Sequence, residues 1–345
     1  MKQYIKFISY LQIIGIILVV LGHSFHEYPE GHGYNTLIYR MIYSFHMPLF
    51  MFVSGFLLVY TTKIREYSNK ATVKDFIISK MKRLLLPFAV LSIVTFIPRA
   101  YLSDMADNVM EINLHSFFQG LFYSNSLIIP FYWFIQACFI LLVLTYAAIT
   151  IGEKSQFKES SIYFSIILLF IILPLIPIEY SEVFSIDKAI NYGIYFAIGA
   201  AYSRYATTID RYIPWTSAIF MAFSIAFWVI TFFLTENAEW FRLCSFIGIV
   251  MCISIAKIIE RYNIIILDHL TGVYYMIFLL SWYCNIVSQQ VLHHFVELPW
   301  WCYTVLSLIS GIYVPWLVYR YLENHYDKKW VRVTATILGH KFKSQ

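Results

Sequence analysis

The 345-residue chain is 60% hydrophobic, 19% aromatic and only 13% charged, with a formal net charge of +5 and a mean hydropathy of +0.66. An ordinary soluble domain carries about 25% charged residues, so a soluble globular enzyme is excluded, and the small positive excess makes no case for nucleic-acid binding. Five scattered cysteines without C-x-x-C spacing suggest neither a disulfide framework nor a metal site.

A membrane-spanning helix needs about 20 mainly apolar residues. Such runs lie near 5–23, 36–60, 84–102, 130–151, 162–178, 189–205, 213–234, 241–259, 264–288 and 300–322. The expected fold is all-α: a polytopic membrane bundle of about ten transmembrane helices. It forms one membrane-embedded domain over 1–345, with 323–345 as a cytoplasmic tail. The first run lacks a small-x-small cleavage site and a second apolar run follows closely, so it is read as a helix and not a signal peptide. Pro87, Pro130, Pro214 and Pro299 are placed near first turns, where a missing N–H costs nothing. Pro48 should kink the second helix, and Ser54 with Gly55 should let a neighbour approach closely. Residues 71–86 mix Val73, Phe76 and Ile77 with lysines at helical spacing, which predicts an amphipathic helix on the cytoplasmic surface before the third span.

Lys and Arg fix the expected orientation. With the N-terminus inside, outer segments hold only Arg40, Arg99, Lys188 and Arg242, and the other basic residues fall on inner ones. Both termini are then cytoplasmic. No GxSxG, Walker loop or HExxH occurs, which removes the familiar hydrolase, NTPase and zinc-protease routes.

Ionisable and strongly polar residues within spans are costly and therefore functional candidates. His23 closes the first apolar run, and Glu27, four residues on, could orient its ring if the helix continues. A neutral, oriented imidazole suits general-base catalysis on a hydroxyl. Gln12 lies eleven residues before His23, on the same helix face and about 16 Å away along the axis; hydrogen-bonding glue between helices explains it equally. His46 starts or sits early in the second helix. Lys80, Lys82 and Arg83 precede the third span, where they could hold donor phosphates or simply anchor lipid headgroups. Tyr132 and Trp133 open the fourth helix from the outer side, where an aromatic belt also accounts for them. The ninth run is unusually polar, with Asp268, His269, Ser281 and Asn285.

Together LQIIGIILVVLGHS at 11–24, FHMPLFMFVSGFLL at 45–58, KMKRLLLP at 80–87, YWFI at 132–135 and GVYYMIFLLSW at 272–282 resemble the membrane acyltransferase-3 family, near its intercellular-adhesion-protein-C-like branch. The resemblance implies ten spans and transfer of an acetyl or succinyl group from cytoplasmic acyl-CoA (acetyl-CoA or succinyl-CoA) to a glycan hydroxyl, without a metal. It carries the catalytic base onto His23; Glu27, by its spacing, or another acid is the expected orienting partner. CoA contacts fall on Lys80 and Arg83, joined by Lys82. The family's first-helix Arg falls on Gln12, which can hydrogen-bond but cannot neutralise phosphate. His46, Tyr132 and Trp133 are the candidate acceptor contacts. The expected partners are a glycan or lipid-linked sugar and the bilayer of a bacterial inner membrane. Two other readings stay open from the residues alone: an exporter of polysaccharide or lipid-linked sugar, and a haem- or quinone-binding protein using His23 and His46.

Overall fold

The computed structural model describes residues 2–25, 37–66, 72–101, 110–234 and 241–342, and these are helical with no β-strand among them. In chain order the helices are α1 (Lys2–Ser24), α2 (Leu37–Tyr43), α3 (His46–Glu66), α4 (Val73–Lys80), α5 (Leu86–Tyr101), α6 (Leu114–Phe122), α7 (Trp133–Lys154) and α8 (Glu159–Ile172). They continue with α9 (Ile186–Tyr212), α10 (Ala218–Leu234), α11 (Phe241–Arg261), α12 (Tyr274–Ile286), α13 (Leu292–Phe295), α14 (Trp300–Asn324) and α15 (Lys329–Ile337). Among the described residues six segments are long and apolar enough to cross a membrane: Lys6–Ser24, Leu37–Thr62, Val73–Tyr101, Pro130–Lys154, Arg242–Arg261 and Trp300–Asn324. Glu159–Leu175 and Ala218–Leu234 are apolar but shorter.

Two departures from the expected elements have local causes. The second run is two helices, α2 and α3, broken at Ser44 and Phe45. Pro48 is the third residue of α3, in the first turn, where its absent N–H has no intrahelical partner to lose. It therefore starts a helix and kinks none. The amphipathic segment is not separate from the third span. A capping box opens α4: Thr72 Oγ1 accepts from Asp75 N, and Asp75 Oδ2 accepts from Thr72 N. The chain then runs through a π turn (Met81–Leu85) straight into α5. Pro87 thus lies inside a continuous helix, where it would clash with the carbonyl four residues back. In the π turn Leu86 N–H bonds Met81 O, five residues back, and this wider turn relieves the crowding. Helices α6 and α15 are amphipathic and, at nine residues each, too short to cross a membrane.

The chain divides into two compact units, one of residues 1–53 and 205–324 and one of 54–204 and 325–345. In the first, α1 packs on α11, α12 and α14, while α12 lies along α14 and α10 along α11. Its core is aliphatic and aromatic, with Leu11, Ile13, Ile16, Leu49 and Met51 fully buried. In the second, α7 packs on α4 and α8, and α15 rests on α5. Gly55 of α3 meets α9 so closely that a Cβ there would sit 1.9 Å from the Phe196 carbonyl oxygen. The expected close approach at Ser54–Gly55 is thus real, and it brings one helix against another's backbone.

Candidate functional site

His23 occupies the last turn of α1 and is partly exposed. The last four carbonyls of any helix lack intrahelical partners, and that of His23 is taken by two side-chain amides. Asn285 Nδ2 of α12 donates to it at 3.3 Å and Gln289 Nε2 at 3.0 Å. Asn285 is oriented in turn by Ser307 of α14, whose hydroxyl donates to Asn285 Oδ1 at 2.8 Å. Gln289 also donates to Ser307 Oγ at 3.3 Å. Gln289 sits in the π turn Val287–Val291 that extends α12, four residues from Asn285. Three helices thereby fix the backbone that carries the imidazole.

The ring itself faces α2. Tyr43 Oη lies 3.4 Å from His23 Nδ1, and the two rings meet edge to face with centroids 6.1 Å apart. Tyr43 stacks on Tyr39 at 3.9 Å and meets the edge of His46 at 4.5 Å. His46 is buried, and since a carbonyl can only accept, its Nδ1 carries the proton that bonds Ile42 O at 2.9 Å. The break between α2 and α3 is what turns Tyr43 and His46 toward each other. Gly22 permits this packing: a Cβ there would stand 3.0 Å from the Tyr43 ring. Gln12 shares α1 with His23 and is buried. Glu27, the acid expected to orient His23, lies outside the described residues.

The remaining candidates belong to the second unit. Lys82 and Arg83 are exposed on the π turn, while Lys80 is half-buried with Nζ 5.1 Å from the Phe76 ring centroid. Beside Arg83 lies His340, after α15, whose imidazole is held down at about 4, first by burial and then by the Arg83 charge. Tyr132 is fully buried against Phe88, and Trp133 is half-buried and stacked on Tyr192 at 5.1 Å. Among the described residues no group of three or more His, Cys, Asp or Glu could hold a metal ion.

The structure thus gathers His23 and His46 around Tyr43, and adds Tyr39, Asn285, Gln289 and Ser307. Of these, only Asn285 stood out in the sequence, as a polar residue in an apolar run. Gln289, four residues later on the same helix face, was the legible signal for the amide pair. Ser307 and the tyrosines had none, because Ser and Tyr are ordinary in membrane helices.

An oriented, partly exposed imidazole in an apolar bundle can accept a proton from a hydroxyl. No curated protein and no solved structure matches the chain. The family model of an acyltransferase domain matches residues 5–320. The chain belongs to the membrane acyltransferase-3 family and is a multi-pass membrane acyltransferase.

Proposed function

We propose that this protein is an O-acyltransferase of a bacterial inner membrane. It moves an acetyl or succinyl group from acetyl-CoA or succinyl-CoA to a hydroxyl of a surface or periplasmic glycan or its lipid-linked precursor. The observation that carries the reading is the His23 imidazole with Tyr43 Oη at its Nδ1 and its main-chain carbonyl held by Gln289, in a chain of this family. The resemblance of 11–24 and 45–58 to the intercellular-adhesion-protein-C-like branch supports a surface glycan as acceptor.

In the productive tautomer Nδ1 holds a proton and donates it to Tyr43 Oη, which places the basic lone pair on Nε2. Nε2 takes the acceptor hydroxyl proton as that oxygen attacks the thioester carbonyl carbon. The carbon–sulfur bond then breaks, and the departing thiolate recovers the proton from the imidazolium. Tyr43 orients the ring in this scheme, and His46 backs Tyr43. Lys82 and Arg83, with Lys80 behind them, hold the donor's phosphates. Gln12, in place of a cation, contributes hydrogen bonding to the donor and no charge. Tyr132 and Trp133 shape the acceptor path through packing.

Mass spectrometry of surface glycan from a deletion strain with and without the wild-type gene tests the reading. An added mass of one acetyl or succinyl group per modified sugar names the donor, and identical glycan masses in both strains would refute the function. Replacing Lys82 and Arg83 together by Ala is expected to raise the KM for acyl-CoA, more at low than at high salt. An unchanged KM would remove them from donor binding.

A further inference from the structure

The second unit contains a polar cup unrelated to any residue named above as catalytic. It encloses about 210 Å³ between the end of α5, one face of α6 and the loop that follows α6. Its frame is rigid. Arg99 Nη1 donates to the carbonyls of Leu127, at 2.7 Å, and Ile128, and Ile128 N donates to Gly120 O at 2.9 Å. Asn125 Nδ2 is tied to Glu182, and Ser124 Oγ donates to Asp187 Oδ1 at 3.1 Å. Gly120 packs so tightly on Ile128 that a Cβ would lie 2.6 Å from its Cγ1.

Within that frame several polar groups line the cup without a partner among the described residues. They belong to Ser116, Gln119, Arg99, Asn125 and Ser126, the last two exposed. Ser116 and Gln119 stand three apart on α6 and so share a face. The lining offers donors and acceptors in similar number, densely spaced. A bare phosphate would meet one cation and several acceptor oxygens, and a lipid chain would leave every one of these groups unbonded. A ring bearing several hydroxyls, each both donor and acceptor, satisfies them together. The volume is below the roughly 300–1,000 Å³ of pockets that take drug-sized ligands, and it suits one ring.

We propose that the cup formed by Arg99, Ser116, Gln119, Asn125 and Ser126 binds a single sugar residue, so that this acyltransferase grips its glycan at a subsite of its own. The inference rests on the glycan-acyltransferase reading for its biological meaning, and the binding itself is testable without any donor.

Saturation-transfer NMR on the purified full-length protein would use D-glucose, D-galactose, N-acetyl-D-glucosamine and D-glucuronic acid, each at millimolar concentration, with glycerol as control. At least one sugar is expected to receive saturation in wild type and in His23→Ala. The double variant Gln119→Leu with Ser126→Leu is expected to lose it, because two side chains then fill the cup. Single Gln119→Ala and Ser126→Ala variants, each removing one or two hydrogen bonds, should weaken binding roughly three- to tenfold. They stand in should the double variant fail to match the wild-type melting temperature. No saturation of any sugar, or equal saturation in wild type and cup variants, overturns the proposal even where acyl transfer is intact. Sugar binding that depends on the cup, together with unmodified glycan in cells, leaves the cup standing and refutes the transferase reading instead.

Discussion

Around His23, in the first unit, a helix-end carbonyl is closed by two side-chain amides that a serine of a third helix holds in place. The π turn of the second unit presents Lys82 and Arg83 outward, with Lys80 leaning on one ring. A residue that moves a proton needs sub-ångström placement, and buried hydrogen bonds supply it. Cations that meet a flexible polyanion act over a longer range and need only to be exposed. The contrast in bracing is what the two proposed roles require, and each side of it can be broken separately.

The largest expected effect is on chemistry. His23→Ala should lower kcat for glycan acylation by about 10²- to 10⁴-fold, the usual worth of a general base. An assay in membranes supplied with acyl-CoA reads it, and a change of only a few-fold would remove His23 from catalysis.

Next come the two close glycines, one in each unit. Gly55→Ala drives a methyl into the Phe196 carbonyl, which cannot move without shifting α9, and should cost about 3 kcal/mol or more. Gly22→Ala meets only the edge of Tyr43, which can swing. It should cost less than about 1 kcal/mol of stability yet lower kcat, because the displaced ring is the neighbour of His23. Thermal melting with activity separates the two, and equal stability losses would contradict the geometry.

Asn285→Ala leaves the Ser307 hydroxyl without its acceptor and the His23 carbonyl with one donor, a loss of about 1–3 kcal/mol. Its signature is a fall in kcat at constant acceptor KM, partly restored by Asp, which keeps the acceptor for Ser307. A purely structural role would lower the yield of folded protein and leave kcat per folded molecule unchanged.

The smallest effect is a pH slope in the second unit. His340 falls from 6.5 to about 4 on folding, so the folded state binds fewer protons than the unfolded one below pH 6.5. Its contribution to stability is full above pH 6.5 and is lost as pH drops from 6.5 toward 4. His340→Gln should flatten that part of the melting-temperature profile, and an unaltered slope would refute the assignment.

The apolar runs announced the helices because burying or lipid-solvating about 20 apolar side chains is a local, additive property of sequence. His23 was legible for the complementary reason, since a titratable group at the end of such a run is expensive. The structure was needed where the outcome depended on neighbours. Pro48 and Pro87 looked like a kink and a helix start. The first became a first-turn residue because α2 ends before it, and the second is carried inside a helix by a π turn upstream. Tyr132 and Trp133 read as acceptor contacts, and the structure sets Tyr132 against Phe88 and Trp133 on Tyr192. Ser307 and Tyr43 are unremarkable by type, and they join the site only because α14 and α2 converge on the last turn of α1. Sequence by itself determined the helical membrane character and the family, and it marked His23 as the candidate base. Tertiary structure decided what holds His23 still, because a hydrogen bond between residues more than 260 positions apart leaves no local trace in composition or period.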